Sequence, residues 1–123
     1  MHVLLADRLD HERAALKRLL DGDPELSVIA EAGAAEELLA QLQESRPDLV
    51  LLDWDLPGLP PFTVMGALQC LQCPLKVIVF GEDSEARQEA LSAGADAFVS
   101  KEEPVEALLN TVRALCRLSP CFV

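Results

Sequence analysis

No apolar run in this sequence approaches the ~20 residues that a helix needs to span a bilayer. The opening MHVLLADR has no basic leader, no long apolar segment and no cleavage site, so neither a membrane span nor a secretory signal is expected. Positive charge is scarce too: 10 Lys and Arg stand against 21 Asp and Glu, a formal net charge of −11. Phosphate backbones attract basic surfaces, so direct nucleic acid binding by this domain is not expected. Also absent is a Ser/Thr/Gly-rich loop after the first apolar run, which a protein holding a phosphate-bearing cofactor would need. ADRLDHER offers none. With 123 residues, half of them hydrophobic, the chain makes one compact domain with a real core, soluble and cytoplasmic.

The four cysteines are Cys70 and Cys73, a C-x-x-C, and Cys116 and Cys121 near the end. A zinc site would need all four to converge. Cys70 ends a helical pattern and Cys73 precedes a strand pattern, so small buried apolar cysteines and a loose tail cysteine are the expected reading.

What the sequence does have is alternation. Strand patterns at 2–6 (HVLLA), 26–32 (LSVIAEA), 48–53 (DLVLLD), 75–80 (LKVIVF) and 97–100 (AFVS) alternate with helical ones. The third and fourth are nearly continuous apolar runs, as parallel strands covered on both faces require. Helical stripes are Ala15, Leu16, Leu19 and Leu20; then Ala35, Leu38, Leu39 and Leu42; then Val64, Met65, Leu68 and Leu71. The segment 83–93 is polar with Ala86, Ala90 and Ala93 inside, and Gly94 suits its C-terminal cap. The last stripe is Val105, Leu108, Leu109, Val112, Leu115 and Cys116, with Pro104 suited to its first turn. Repeated β-then-α units imply a doubly wound parallel α/β sheet, whose ligands sit beyond the carboxyl ends of the strands.

Chemistry is therefore expected where strands end. Asp7 follows the first, Asp53 ends the third, Gly81, Glu82 and Asp83 follow the fourth, and Lys101 follows the fifth. Two carboxylates at one edge suit a hard cation such as Mg²⁺. A carboxylate beside that cation can attack a phosphoryl group, and an opposed lysine stabilises the charge that develops. Each residue alone would be a strand or helix cap; the trio is more specific.

LLAD after the first strand, PDLVLLDWDLPG around the third and GADAFVSK at the fifth resemble the receiver domain of two-component response regulators. DPELSVIAEAG is similar to the NarL/LuxR-type subgroup, whose receivers precede a helix-turn-helix output domain. The resemblance covers essentially the whole chain, with residues 1–118 as the receiver and 119–123 as a tail or the start of a linker. It implies a CheY-like, flavodoxin-like sheet of order 2-1-3-4-5 and a phosphoacceptor at Asp53, with Lys101 as the family's lysine. It also implies a Mg²⁺ site at Asp7, Asp53 and the Asp55 main-chain carbonyl, a loop shaped by Pro57 and Gly58, and an aromatic switch at Phe98. The implied partners are a sensor histidine kinase or another signalling protein, an output domain and a possible second copy of the chain.

Three positions depart from that family, all around one site. Arg8 stands where a second, metal-ligating acid is usual; Gly81 replaces a Ser or Thr; Glu82 occupies a usually small position. Like charges ~4 Å apart cost about 4 kcal/mol at an effective dielectric of 20, so a cation at position 8 weakens metal binding. Glycine removes a hydroxyl donor and loosens the loop. Three readings of Arg8 stay open. The preferred one pairs its guanidinium with Asp7 and Asp53 in place of the metal, a role suited to its planar fork. In the others it clamps phosphate oxygens with Lys101, or faces solvent at the start of the first helix.

Smaller expectations complete the list. Trp54 either lids the pocket or covers loop surface; His2 and His11 are exposed bystanders. Asp10 replaces the missing acid or, preferably, caps the first helix. Arg113 and Arg117 mark a dimer face or a solvated helix end. Together these favour a non-enzymatic, atypical receiver acting through protein contacts, with metal-dependent phosphorylation impaired. The alternative is a conventional receiver phosphorylated on Asp53.

Overall fold

The computed structural model describes residues 1–71 and 75–118. Its elements alternate strictly: β1 (His2–Ala6), α1 (Asp10–Asp21), β2 (Ser27–Ala32), α2 (Ala35–Ser45), β3 (Leu49–Asp53), α3 (Pro61–Gln69), β4 (Lys76–Gly81), α4 (Ser84–Ser92), β5 (Ala97–Ser100) and α5 (Val105–Leu118). The five strands form one parallel sheet in the order β2-β1-β3-β4-β5. This is the expected flavodoxin-like topology, with strand bounds within one residue of those read from sequence.

The sheet is buried on both faces, and its alternation sorts side chains into two cores. Leu4, Val50, Leu52, Val77 and Val79 meet Leu38 and Leu42 of α2, Val64, Met65 and Leu68 of α3, and Ala90 of α4. Val3, Leu5, Leu49, Leu51, Ile78 and Phe80 face the other way, against Leu16 and Leu20 of α1 and Leu108 and Val112 of α5. Each buried leucine or valine contributes roughly 1.5–3 kcal/mol. The central strands β1, β3 and β4 therefore hold the sheet edge firmly, and their carboxyl ends inherit that rigidity.

Several local expectations need correction. Ala15 is exposed, because the buried line of α1 runs through Leu16 and Leu20 and Ala15 is turned away from it. Leu71 is 40% exposed because α3 already stops at Gln69. Asp10 is the first residue of α1 rather than its cap; Leu9 holds the cap position and offers no side-chain acceptor. Pro104 lies just outside α5, where its carbonyl accepts from Ala107 N at 2.9 Å. On α4, Asp83 caps the N-terminus by accepting from Ala86 N at 2.8 Å. Gly94 follows the C-terminus at φ 105°, a conformation glycine adopts without strain.

Cys70 is exposed rather than buried, because α3 stops just before it. Cys73 and the expected tail 119–123 lie outside the described residues, as does the side chain of Cys116, so the other cysteine readings fall beyond them.

Candidate functional site at the carboxyl edge of the sheet

Backbone hydrogen bonds beyond the strands gather the site. Asp7 N donates to Ala32 O at 3.0 Å, Trp54 N to Phe80 O at 2.9 Å and Lys101 N to Gly81 O at 2.7 Å. The ladders thus continue one step past β1, β3 and β5, setting Asp7, Asp53 and Lys101 together as their sequence positions imply.

Asp53 is fully buried and well held. Its Oδ1 accepts from Lys101 Nζ at 2.8 Å and from Asp55 N at 2.9 Å. Its Oδ2 has a long contact, 3.5 Å, from Arg8 N. The Lys101 ammonium also lies 3.8 Å from Asp55 Oδ2 and 5.4 Å from the centroid of the Phe80 ring. Burial works against the lysine's charge, but the hydrogen bond to Asp53 and the charges of Asp53, Glu12 and Asp55 outweigh it and raise its pKa.

Asp7 is the unsettled member. It is fully buried, its Oδ1 accepts from Leu9 N at 3.0 Å, and its Oδ2 has no hydrogen-bond partner. Burial pushes its pKa up to about 6 against the lowering effect of the Leu9 amide, helped by the charges of Glu12 and Asp53. The nearby Asp53 carboxylate opposes a second negative charge and so adds to the rise. An orphaned carboxylate oxygen beside a second buried carboxylate calls for a proton or a cation. The donor set fits a hard divalent cation: Asp7 and Asp53 would hold it, with the Asp55 main-chain carbonyl and water. When bound, such a cation neutralises oxygen charge during transfer of a phosphoryl group. Among the described residues, no cluster of three or more His, Cys, Asp or Glu side chains is set to hold a metal.

Arg8 does not pair with Asp7 and Asp53, the preferred reading; it faces solvent just before α1, as the third reading has it. It is exposed, and among the described residues its guanidinium has no ion-pair partner. The peptide between Asp7 and Arg8 turns its N–H toward Asp53, which carries the Arg8 side chain outward. Asp10, expected as an alternative acid at this site, is turned to solvent: its side chain is 93% exposed and bound to Arg13 at 2.7 Å.

The opposite flank is apolar. Gly81 is buried, and a Cβ there would lie 3.1 Å from Phe98 Cε2, 3.2 Å from Phe98 Cζ and 3.3 Å from Ala86 Cβ. The Phe98 ring therefore fills the space a side chain at position 81 would need. Trp54 is 6% exposed and packs inward rather than over loop surface. Its indole Nε1–H donates to Glu89 Oε2 on α4 at 3.2 Å, and its ring meets Phe62 edge-on with centroids 5.7 Å apart. Gly58 has φ 109°, and Pro57 O accepts from Ala35 N at 2.8 Å, so both shape the loop after β3 as expected. Glu82, His2 and His11 are exposed.

Sequence reasoning missed Arg13, Glu12, Glu31 and Glu89. An i, i+3 spacing links Asp10 to Arg13 on α1 and could have flagged that pair. The contacts of Arg13 with β2 and with the loop after β1 had no local signal. Arg113 binds Asp23 at 3.0 Å, joining α5 to the end of α1, while the Arg117 side chain is outside the described residues. The Glu25 amide and then Arg113 hold the Asp23 pKa below its usual value.

A parallel sheet of this order, with two buried acids and a lysine at its carboxyl edge, defines a CheY-like domain. Residues 3–113 match the response regulator receiver domain, and the chain belongs to that family. It is 36% identical over 115 residues to the transcriptional activator protein ExaE of Pseudomonas putida, covering 92% of this chain and 54% of that protein. It is 28% identical over 112 residues to the nitrate/nitrite response regulator protein NarL of Escherichia coli K12, covering 89% of this chain and 52% of that protein. The chain thus spans about half the length of these curated relatives. A LuxR-family two-component response regulator from Aurantimonas sp. SI85-9A1 superposes with a TM-score of 0.84 at 26% identity, covering 93% of this chain and 83% of that one.

Proposed function

We propose that this chain is an atypical receiver domain in two-component signalling. It keeps the phosphoacceptor position at Asp53 but has a weakened metal site and an aromatic switch that packs without a hydroxyl partner. The observation that carries this reading is the contact of Phe98 with Gly81: the ring already fills the space beside the end of β4. No event at Asp53 is needed to bring it there. Arg8 in place of a ligating acid supports weak Mg²⁺ binding, since Asp7 and Asp53 are the two buried carboxylates at this edge among the described residues. Output then passes through protein contacts rather than catalysis, and the domain is not itself an enzyme.

The residues from 1 to 118 form the receiver in this reading, and 119–123 are a tail or the start of a linker. A histidine kinase or another signalling protein addresses the site, and a helix-turn-helix output domain lies in the longer parent chain. The kinds of regulator among the relatives support that arrangement. No described helix is long and apolar enough to cross a membrane, and a cytoplasmic setting suits such a partner.

A second reading, a conventional receiver phosphorylated on Asp53, is favoured by the orphaned Asp7 Oδ2 and by the exposure of Arg8. Intact-mass spectrometry after acetyl phosphate treatment, with and without Mg²⁺ and with Asp53→Ala as control, separates them. Little or no gain of a phosphoryl group supports the atypical reading. A full, Mg²⁺-dependent gain lost in Asp53→Ala would replace it with the conventional one.

A further inference from the structure

We infer that Arg13 is a positioning residue for Asp53, acting through the single peptide group that joins Asp7 to Arg8. The Arg13 guanidinium is anchored three ways. Nη1 donates to the Asp7 carbonyl at 2.6 Å, Nη2 to Asp10 Oδ1 at 2.7 Å and Nε to Glu31 Oε1 at 3.3 Å. Its side chain is 18% exposed, and Glu31 is held in turn by Lys17 at 3.3 Å. Room for the guanidinium depends on Gly33, where a Cβ would come within 3.3 Å of Nη1.

The consequence follows from peptide geometry. All peptide bonds among the described residues are trans, so the carbonyl and the N–H of one peptide point in opposite directions. Fixing the Asp7 carbonyl on Arg13 fixes the Arg8 N–H on the other side, where it meets Asp53 Oδ2 at 3.5 Å. A cation on the carbonyl also polarises that peptide and strengthens its N–H as a donor. The two oxygens of Asp53 are thereby oriented by different devices: Oδ1 by Lys101 and the Asp55 amide, Oδ2 by the peptide that Arg13 holds. The same peptide begins at Asp7, so Arg13 also sets the direction from which Asp7 faces Asp53. The functional weight of this positioning rests on Asp53 being the reactive carboxylate, whereas the contact itself does not.

The test is amide NMR on ¹⁵N-labelled protein, with Arg13→Met and Arg13→Lys made in the native and in the Asp53→Ala backgrounds. Arg13→Met is expected to move the Arg8 amide proton upfield and speed its exchange with solvent about tenfold, with the Leu5 and Val79 amides unchanged. Arg13→Lys should restore part of the shift. In the Asp53→Ala background the Arg8 amide should no longer respond to position 13, because its acceptor is gone. An Arg8 amide indifferent to Arg13 in a folded protein overturns the inference, as does an equal response with and without Asp53. Should Arg13→Met fail to fold, Glu31→Gln removes one anchor only. It should move the Arg8 amide in the same direction by a smaller amount, and no movement would again overturn the inference. Because no phosphate is used, this result and the acetyl phosphate result stand independently.

Discussion

The two flanks of Asp53 are built from opposite physics. On one side Asp7, Lys101 and Arg13 form a network of charges and amides, in which each oxygen is assigned a donor except Asp7 Oδ2. On the other, Gly81, Phe98 and Ala86 meet by shape alone. The polar flank therefore responds to pH, cations and charge substitution. The apolar flank responds to volume. In the proposed reading, a signal at Asp53 would meet one side that can rearrange electrostatically and one side already closed by packing.

The largest effect is expected from the charge that holds the polar flank together. Lys101 is 13% exposed and Asp53 is buried, so Lys101→Met leaves a buried carboxylate without its partner. A loss of about 3 kcal/mol at pH 7 is expected from breaking such a pair. Urea unfolding measures it, and a loss near zero would mean that the pair is not what keeps this flank in place.

The next effect has the opposite sign. An Asp7 pKa of about 6 in the fold compares with about 4 in the unfolded chain, so the folded state binds more protons between those values. The contribution of Asp7 is thus fully present below about pH 4 and is lost as pH rises to about 6. Asp7→Asn, which keeps the shape and cannot ionise, should stabilise the chain by roughly 2–3 kcal/mol at pH 7 and by almost nothing near pH 4. Unfolding at both pH values in chelator checks it; an Asn variant weaker than the native chain at pH 7 would contradict the assignment.

The smallest effect tests the apolar flank. Gly81→Thr places a Cβ about 3.1 Å from the Phe98 ring, and crowding of this kind costs roughly 1–2 kcal/mol. Combined with Phe98→Ala the two costs should fall short of their sum, because the truncated ring leaves the space that threonine needs. Strict additivity in that double-mutant cycle would show that ring and glycine are not coupled, and the two flanks would then be less different than the contacts make them.

Periodicity was enough for the sheet, because burial on both faces forces apolar runs at β3 and β4 and helical stripes between them. It was also enough to set Asp7, Asp53 and Lys101 at strand ends, since parallel order puts those ends on one edge. The fate of Arg8 was not legible. A guanidinium beside two acids reads as an ion pair, yet the main chain at Asp7 and Arg8 turned its N–H, not the side chain, toward Asp53. Nor was the role of Arg13 legible, since its partners at Asp7 and Glu31 come from a loop and a neighbouring strand. Trp54 followed the same rule: its neighbour in sequence is Asp53, but its hydrogen-bond partner is Glu89, 35 residues away.

By itself, then, the sequence determined the order of elements, the edge at which chemistry gathers and the residues that stand there, because these depend on burial and on chain direction. Only the tertiary structure decided which donor meets which oxygen and which ring fills which gap. Those outcomes turn on the direction of single peptide groups and on distances of a few tenths of an ångström, for which a linear pattern carries no signal.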